Sequence, residues 1–300
     1  MKCFDCPRKC GVERDKRIGY CKAPAKVKIA RAALHFWEEP CISGEAGSGT
    51  VFFSGCNLGC VYCQNKEIAN GTIGKEITIP RLAKIFLELQ DKGANNINLV
   101  TPSHYYRQIK EALIMVKDRL TIPVISNTSS YESLESLKSM EGLIDIYLAD
   151  YKYDFEEPAR RYSNAPDYPE VARAALNEMY RQVGGPVFDE KGLMKKGMII
   201  RYLLLPGQVP EGKAALRYLH KTFKNNVFIS IMNQYTPMKG ADAYPEINRK
   251  VTEKEYQSLV DFAVEKGIKN GFTQEGETAK ESFIPLFDLE GVEGPELIYE

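Results

Sequence analysis

Residues 52–65, FFSGCNLGCVYCQN, place Cys56, Cys60 and Cys63 within eight positions, directly after a short apolar run and on a loop that also carries Gly55 and Gly59. Thiolates bind zinc or iron–sulfur clusters, and a structural site of either kind is normally saturated by four protein ligands. Three is therefore the informative count. It suits a zinc site completed by a distant Cys or His, or an iron–sulfur cluster whose fourth iron stays open to hold a small molecule. The preceding GTVFFSG reads as a buried strand, and the glycines let the backbone fold tightly round a bound group.

Outward from that strand, apolar runs alternate with amphipathic ones. IPRLAKIFLELQDKG has apolar residues at helical spacing, with Pro80 in its first turn and Gly93 at its stop. NINLVTP with HYYRQIKEALIMVKDRL, PVISNT with YESLESLKSM, and IDIYLAD with the helix ending near ARAALNEMYRQVG continue the series. MIIRYLLLPG with EGKAALRYLHKTF, and VFISIMNQY with TEKEYQSLVDFAVEKG, complete it, the last helix opening on a capping box of Thr252 and Glu255. Near-continuous apolar strands alternating with helices predict an α/β fold, a partial (β/α)6 TIM-like barrel over residues 49–300. A small cysteine-rich, metal-binding extension over residues 1–48 precedes it, and the tail from Gly271 is expected to pack across the barrel mouth or edge. In parallel sheets chemistry sits at the carboxyl ends of strands, which is where the triplet falls.

The 40 basic and 40 acidic residues cancel, which removes the broad electrostatic footprint of a dedicated nucleic-acid binder. No stretch approaches the roughly 20 apolar residues that span a bilayer, and MKCFDCPRKC lacks an apolar h-region, so no membrane partner and a cytoplasmic location are expected. Eight cysteines in a reducing compartment read as metal ligands or catalytic thiols rather than disulfides, and seven of them fall within residues 3–21 and 56–63. Cys3, Cys6, Cys10 and Cys21, with turns at Pro7, Gly11 and Gly19, form a second candidate metal site. It holds either zinc, stapling a knob too small to bury a core, or a second iron–sulfur cluster that relays electrons. Cys41 is a fifth ligand or a buried small hydrophobe. Arg8, Lys9, Arg14, Lys16, Arg17, Lys22, Lys26, Lys28 and Arg31 make the knob locally basic, with solvation the default reading. His35 and Trp37, in the alternating VKIARAALHFWEE, are expected to pack in a hairpin.

The spacing Cys-x3-Cys-x2-Cys with an aromatic before the last cysteine resembles the radical S-adenosylmethionine (SAM) superfamily, which carries that triplet after the first strand of a partial barrel. The resemblance implies a 4Fe-4S cluster that chelates SAM, reductive cleavage to methionine and a 5′-deoxyadenosyl radical, and hydrogen abstraction from a protein, peptide or small-molecule substrate. It also implies a flavodoxin- or ferredoxin-type electron donor. CNLGCVYCQN, LADYKY and IIRYLLLPG are similar to stretches of the glycyl-radical-enzyme activases, such as pyruvate formate-lyase activating enzyme. EPCISGEAGSG and the cysteine-rich start resemble a divergent branch of activase homologues.

On that likeness Tyr62 lies beside adenine, Arg201 contacts SAM, Asp150 helps hold a cation near the SAM carboxylate, and Lys152 orients substrate or SAM. Asn65, Asn127 and Gln234 join the cofactor-binding mouth, with Tyr235 beside Gln234. The activases carry GGE after strand two where this chain has VTPSHYY, so Thr101, Ser103 and His104 must supply replacement contacts, and His104 serves either proton transfer or a structural hydrogen bond. A non-catalytic two-site zinc or iron–sulfur protein, acting in electron transfer or as an interaction module, is the competing reading.

Overall fold

The computed structural model describes residues 2–238, 241–274 and 285–298. Its strands are β1 (Val27–His35), β2 (Ser48–Phe53), β3 (Lys75–Ile77), β4 (Ile97–Val100), β5 (Val124–Thr128), β6 (Ile146–Asp150), β7 (Val187–Phe188), β8 (Met194–Leu203), β9 (Phe228–Met232) and β10 (Gly271–Thr273). Its helices are α1 (Pro40–Ser43), α2 (Lys66–Ala69), α3 (Ile79–Asp91), α4 (Tyr106–Met115), α5 (Leu134–Ser139), α6 (Glu156–Ser163), α7 (Tyr168–Val183), α8 (Val209–Phe223) and α9 (Glu253–Glu265).

One sheet in the order β10-β9-β8-β6-β5-β4-β2-β1-β3 organises the molecule, with β7 paired to β8 outside this path. From β2 to β10 every neighbouring pair on the path is parallel. The six predicted β/α units are present, and the open, mostly parallel sheet is the expected partial barrel. The sequence reading lacked a seventh parallel strand, β10, which forms from GFT directly after α9. β1 turns back antiparallel on β2, pairing Ala32 with Val51 and His35 with Ser48, so VKIARAALH is one arm of the expected hairpin.

Strand side chains alternate between two buried faces, which is why these strands read as continuous apolar runs. Outward, Phe53, Leu99, Val124, Tyr147, Met198, Ile200 and Ile229 meet the apolar stripes of the helices. Inward, Ile125, Ile146, Leu148 and Ile199 pack with Cys41 and Ile42 of α1. Thus α1 plugs the barrel interior, and Cys41 is a small buried hydrophobe whose thiol is pushed up to about 12, first by burial and then by Glu39.

Local signals set the helix starts. Thr78 caps α3 by accepting from the Arg81 amide, and Thr252 and Glu255 form the predicted capping box on α9. Part of the tail, residues 275–284, lies outside the described residues. Beyond it, Leu289 donates to the Ala30 carbonyl, Ala32 donates to the Glu290 carbonyl, and buried Arg81 collects the carbonyls of Gly291, Val292, Glu293 and Pro295. The segment therefore runs along the β1 edge and α3.

Candidate active site

Carboxyl ends of parallel strands leave backbone groups and side chains converging on one mouth. Here that mouth is a cavity of about 250 Å³ lined by Cys56, Cys60, Tyr62, Cys63, Asn65, Thr101, Asn127, Asp150, Lys152, Arg201 and Gln234 among others. With Tyr235, twelve of the residues assigned to the mouth from sequence share one wall system, and His35 and Trp37, expected only to pack in a hairpin, line it as well. Two do not. Ser103 is fully buried and donates to Glu132, while the Nε2 of buried His104 lies 2.9 Å from the Ser54 carbonyl. Burial drops His104 to about 3, so its imidazole is neutral and holds the end of β2 in place.

The triplet loop is tied on several sides. The Cys56 amide donates to the Cys21 carbonyl at 2.9 Å, and the Val61 amide to the Tyr162 carbonyl at 2.8 Å, at the end of α6. Ser163 Oγ lies 3.0 Å from Cys60 Sγ, and the Leu58 amide 3.4 Å from Cys56 Sγ, so the sulfurs already accept hydrogen bonds of the kind that tune thiolate clusters. Cys63 is pushed up to about 12 and Cys56 is raised, each first by burial and then by its companion thiols, with Lys152 opposing. Buried thiolates that repel one another need a cation between them, so the donor set fits an iron–sulfur cluster. Among the described residues, as they stand, no three His, Cys, Asp or Glu side chains converge on a metal-sized point. Tyr62 is held edge-on by Tyr153, Tyr162 and Tyr235 at 6.2 to 6.4 Å between ring centres, which fixes its ring against the cavity.

The cavity floor is ionic. Arg201, near the end of β8, donates from Nε to Asp150 at 2.7 Å, from one terminal nitrogen to Glu38 at 3.1 Å, and from the other to Asn127 at 2.6 Å. Lys152 reaches the second oxygen of Asp150 at 2.7 Å, and Asn98 and Asn127 both donate to Glu38. Burial works against each charge. The pairing outweighs it, keeping Asp150 below and both Lys152 and Arg201 above their ordinary ranges. Burial raises Glu39, beside Glu38, toward the neutral form. Two cations therefore face two carboxylates. Buried ion pairs of this kind add little net stability, and one placed at a barrel mouth beside three thiols makes a candidate binding site.

Glu38 and Glu39 had escaped the sequence reading. Their only signal is two adjacent acids inside an apolar stretch, ALHFWEEPCISG, that α1 carries into the barrel. Thr101 is the other surprise. Directly after β4, at the position where GGE is replaced, this β-branched residue takes φ +57 while its amide donates to the Asn127 carbonyl. A left-handed threonine costs roughly 1–3 kcal/mol, strain of the sort that gathers at ligand sites.

A parallel barrel closed below by a plug, with thiols and a buried ionic floor at its mouth, belongs to the class of cofactor-binding α/β barrels. Within that class the chain belongs to the Radical SAM superfamily, whose family model matches residues 50–219. It is similar to an uncharacterized protein of Methanocaldococcus jannaschii, with 29% identity over 271 residues that cover 87% of this chain and 74% of that one. Its fold is similar to SuiB of Streptococcus suis, solved with S-adenosylmethionine bound, at 12% identity and a TM-score of 0.50 over 73% of this chain. It also resembles methylornithine synthase (PylB) at 15% identity and a TM-score of 0.51 over 86% of this chain. The matches span 48% of SuiB and 66% of the methylornithine synthase, and at these identities the likeness is one of fold. Family membership carries a 4Fe-4S cluster and SAM as cofactors. Among the described residues no helix is long and apolar enough to cross a membrane.

Proposed function

We propose that the chain is a cytoplasmic oxidoreductase of the glycyl-radical-enzyme-activase type, acting on a protein, peptide or small-molecule substrate with an electron from a flavodoxin- or ferredoxin-type donor. The reading rests on one observation: Cys56, Cys60 and Cys63 share a single cavity with the Asp150–Lys152–Arg201 network and Tyr62. When bound there, the 4Fe-4S cluster supplies the electron that cleaves SAM to methionine and a 5′-deoxyadenosyl radical, which takes a hydrogen atom from substrate carbon. Cys56, Cys60 and Cys63 hold that cluster. Arg201 contacts SAM, Asp150 helps hold a cation near the SAM carboxylate, Tyr62 backs the adenine, and Lys152 orients substrate or SAM beside the thiolates. Thr101, in its strained turn, offers its carbonyl where the activases use GGE. Within the expected extension of residues 1–48, the stretch ahead of β1 is the metal-binding part, held by Cys3, Cys6, Cys10 and Cys21, while β1 and α1 are built into the barrel.

The test is anaerobic reconstitution with iron and sulfide, then dithionite and SAM, with 5′-deoxyadenosine, iron and zinc measured on one sample. Formation of 5′-deoxyadenosine that vanishes in Cys56→Ala supports the reading. Zinc at both cysteine groups, with SAM neither bound nor cleaved, overturns it in favour of a non-catalytic metalloprotein.

A further inference from the structure

Arg8 stands inside the cysteine-rich segment, between Cys6 and Cys10, where its charge reads as solvated. The structure turns it inward. Its Nε donates to the Asn57 carbonyl at 2.9 Å, and its terminal nitrogens reach Leu58, Ser163 and Asn164 carbonyls at 3.1, 2.9 and 2.5 Å. Asn57 and Leu58 belong to the triplet loop, whereas Ser163 and Asn164 are the last residue and cap of α6. Carbonyls at a helix carboxyl terminus have no partner within the helix and carry its negative dipole end, so a guanidinium there satisfies what the helix leaves open. Tyr20 and Tyr131 cover the guanidinium, at 4.0 and 5.1 Å from their ring centres. One side chain thereby joins the cluster loop to the helix whose Ser163 touches Cys60.

The knob that aims Arg8 is folded by backbone hydrogen bonds at its cysteines. Cys3 closes a loop by donating to the Val12 carbonyl and accepting from the Gly11 amide, and the Lys9 amide returns to the Cys6 carbonyl. Cys6 is buried, with Cys21 and Cys3 as neighbouring thiols, and Cys10 Sγ lies against Gly19. Arg14 approaches Cys21 Sγ at 3.7 Å and donates to the His104 carbonyl, a second strut into the barrel. The Cys21 carbonyl in turn receives the Cys56 amide. Among the described residues no three of these thiols converge on a metal-sized point as they stand, and a group that drew the four together would fix Arg8 and the Cys21 carbonyl, both of which bear on residues 56–58.

We propose that Arg8 is a positioning residue for the SAM-cluster loop, and that metal loading of the Cys3–Cys6–Cys10–Cys21 site is coupled through it to assembly of the Cys56–Cys60–Cys63 site. This rests on the radical SAM reading for what the second site holds, but the loop coupling is measurable without it. The whole chain is compared with Arg8→Ala, Arg8→Lys, Cys6→Ser and the Arg8→Ala/Cys6→Ser double variant. Before reconstitution, amide hydrogen exchange is followed at residues 56–63, with β5 and β6 amides as internal reference and zinc and iron counted. After anaerobic reconstitution, SAM affinity and the spectrum of the reduced cluster are measured. Arg8→Ala is expected to keep its N-terminal metal, to exchange about tenfold faster at the loop alone and to bind SAM about tenfold more weakly. Arg8→Lys, a point charge facing four carbonyls, restores only part of this. Cys6→Ser loses the N-terminal metal and shows the same loop signature, and the double variant adds nothing further. Wild-type loop exchange and SAM affinity in either single variant, equal acceleration in β5 and β6, or an N-terminal set that takes up neither zinc nor iron would each overturn the proposal. A wild-type chain that fails to bind SAM while Arg8→Ala still loosens the loop sinks the radical reading and leaves the coupling standing.

Discussion

Cys56, Cys60 and Cys63 ride on a loop whose base, β2, is buried along its whole length, whereas Cys3, Cys6, Cys10 and Cys21 stand in a segment whose only strand pairing is a single bridge between Lys2 and Glu13. The barrel would hold its loop's approach without any metal, because apolar strands and helices order it. Among its described residues the knob buries only the apolar side chains of Cys6, Val12, Cys21 and Ala23, too little to order some two dozen residues. One set of thiols is thus presented by a fold, and the other must help make its own. The ligand counts agree with this division: four thiolates close a site, and three leave a position for chemistry.

The comparison breaks hardest at Cys56→Ala. Iron bound at the barrel mouth and 5′-deoxyadenosine both drop to background while the Tm of the barrel holds, whereas Cys6→Ser first loses the knob's metal and its protection from proteolysis and weakens SAM binding without abolishing cleavage. A Cys6→Ser protein that stays protease-resistant and fully metal-loaded would contradict the division. Next comes Arg201→Ala. It leaves Glu38 without a cation and Asp150 with Lys152 alone, so the barrel loses about 3–5 kcal/mol by denaturant titration, and Arg201→Lys recovers little of it because the fork is lost. Loss under 1 kcal/mol would mean the floor is wet.

A smaller effect separates the two regions by pH. Glu132, buried against Ser103, Thr128 and Tyr106, is held at about 7 by burial, above its ordinary 4.5. A folded-state value above the unfolded one means the native form binds the proton more tightly. This stabilising contribution is complete below about pH 4.5 and is lost as pH rises through 7. Glu211, also held at about 7 by burial, acts in the same direction. Barrel stability therefore falls from pH 5 to pH 8, and Glu132→Gln flattens the slope seen in thermal melts across that range. An unchanged slope would remove Glu132 from the account. Smallest is Thr252→Ala, which deletes the α9 cap for about 1 kcal/mol and leaves metal content at both sites unaltered.

Six β/α units were legible because both faces of each strand are covered, so burial writes itself as unbroken apolar runs. β10 was not, since GFT offers three residues and one large apolar side chain. The triplet was readable from its spacing, and Tyr62, Asp150, Lys152 and Arg201 from the resemblance to the radical SAM activases, which maps them onto the triplet loop and strand ends. Glu38 was not, because two acids beside a proline look like surface until α1 carries them into the barrel. Arg8 and Arg14 were misread for the same reason: a charge is polar in sequence whether it meets water or a ring of carbonyls. Only tertiary contact distinguishes the two.

The acceptors of Arg8 lie far along the chain, with the Asn164 carbonyl 156 residues downstream. At translation rates of about 5–20 residues per second, roughly 8 to 30 s separate synthesis of the knob from synthesis of its anchor. For that interval the four N-terminal thiols are out of the ribosome with no barrel to dock on. Metal capture during this window would give the emerging barrel a preformed surface to close against, and oxidation during it would spoil the cluster loop before that loop exists.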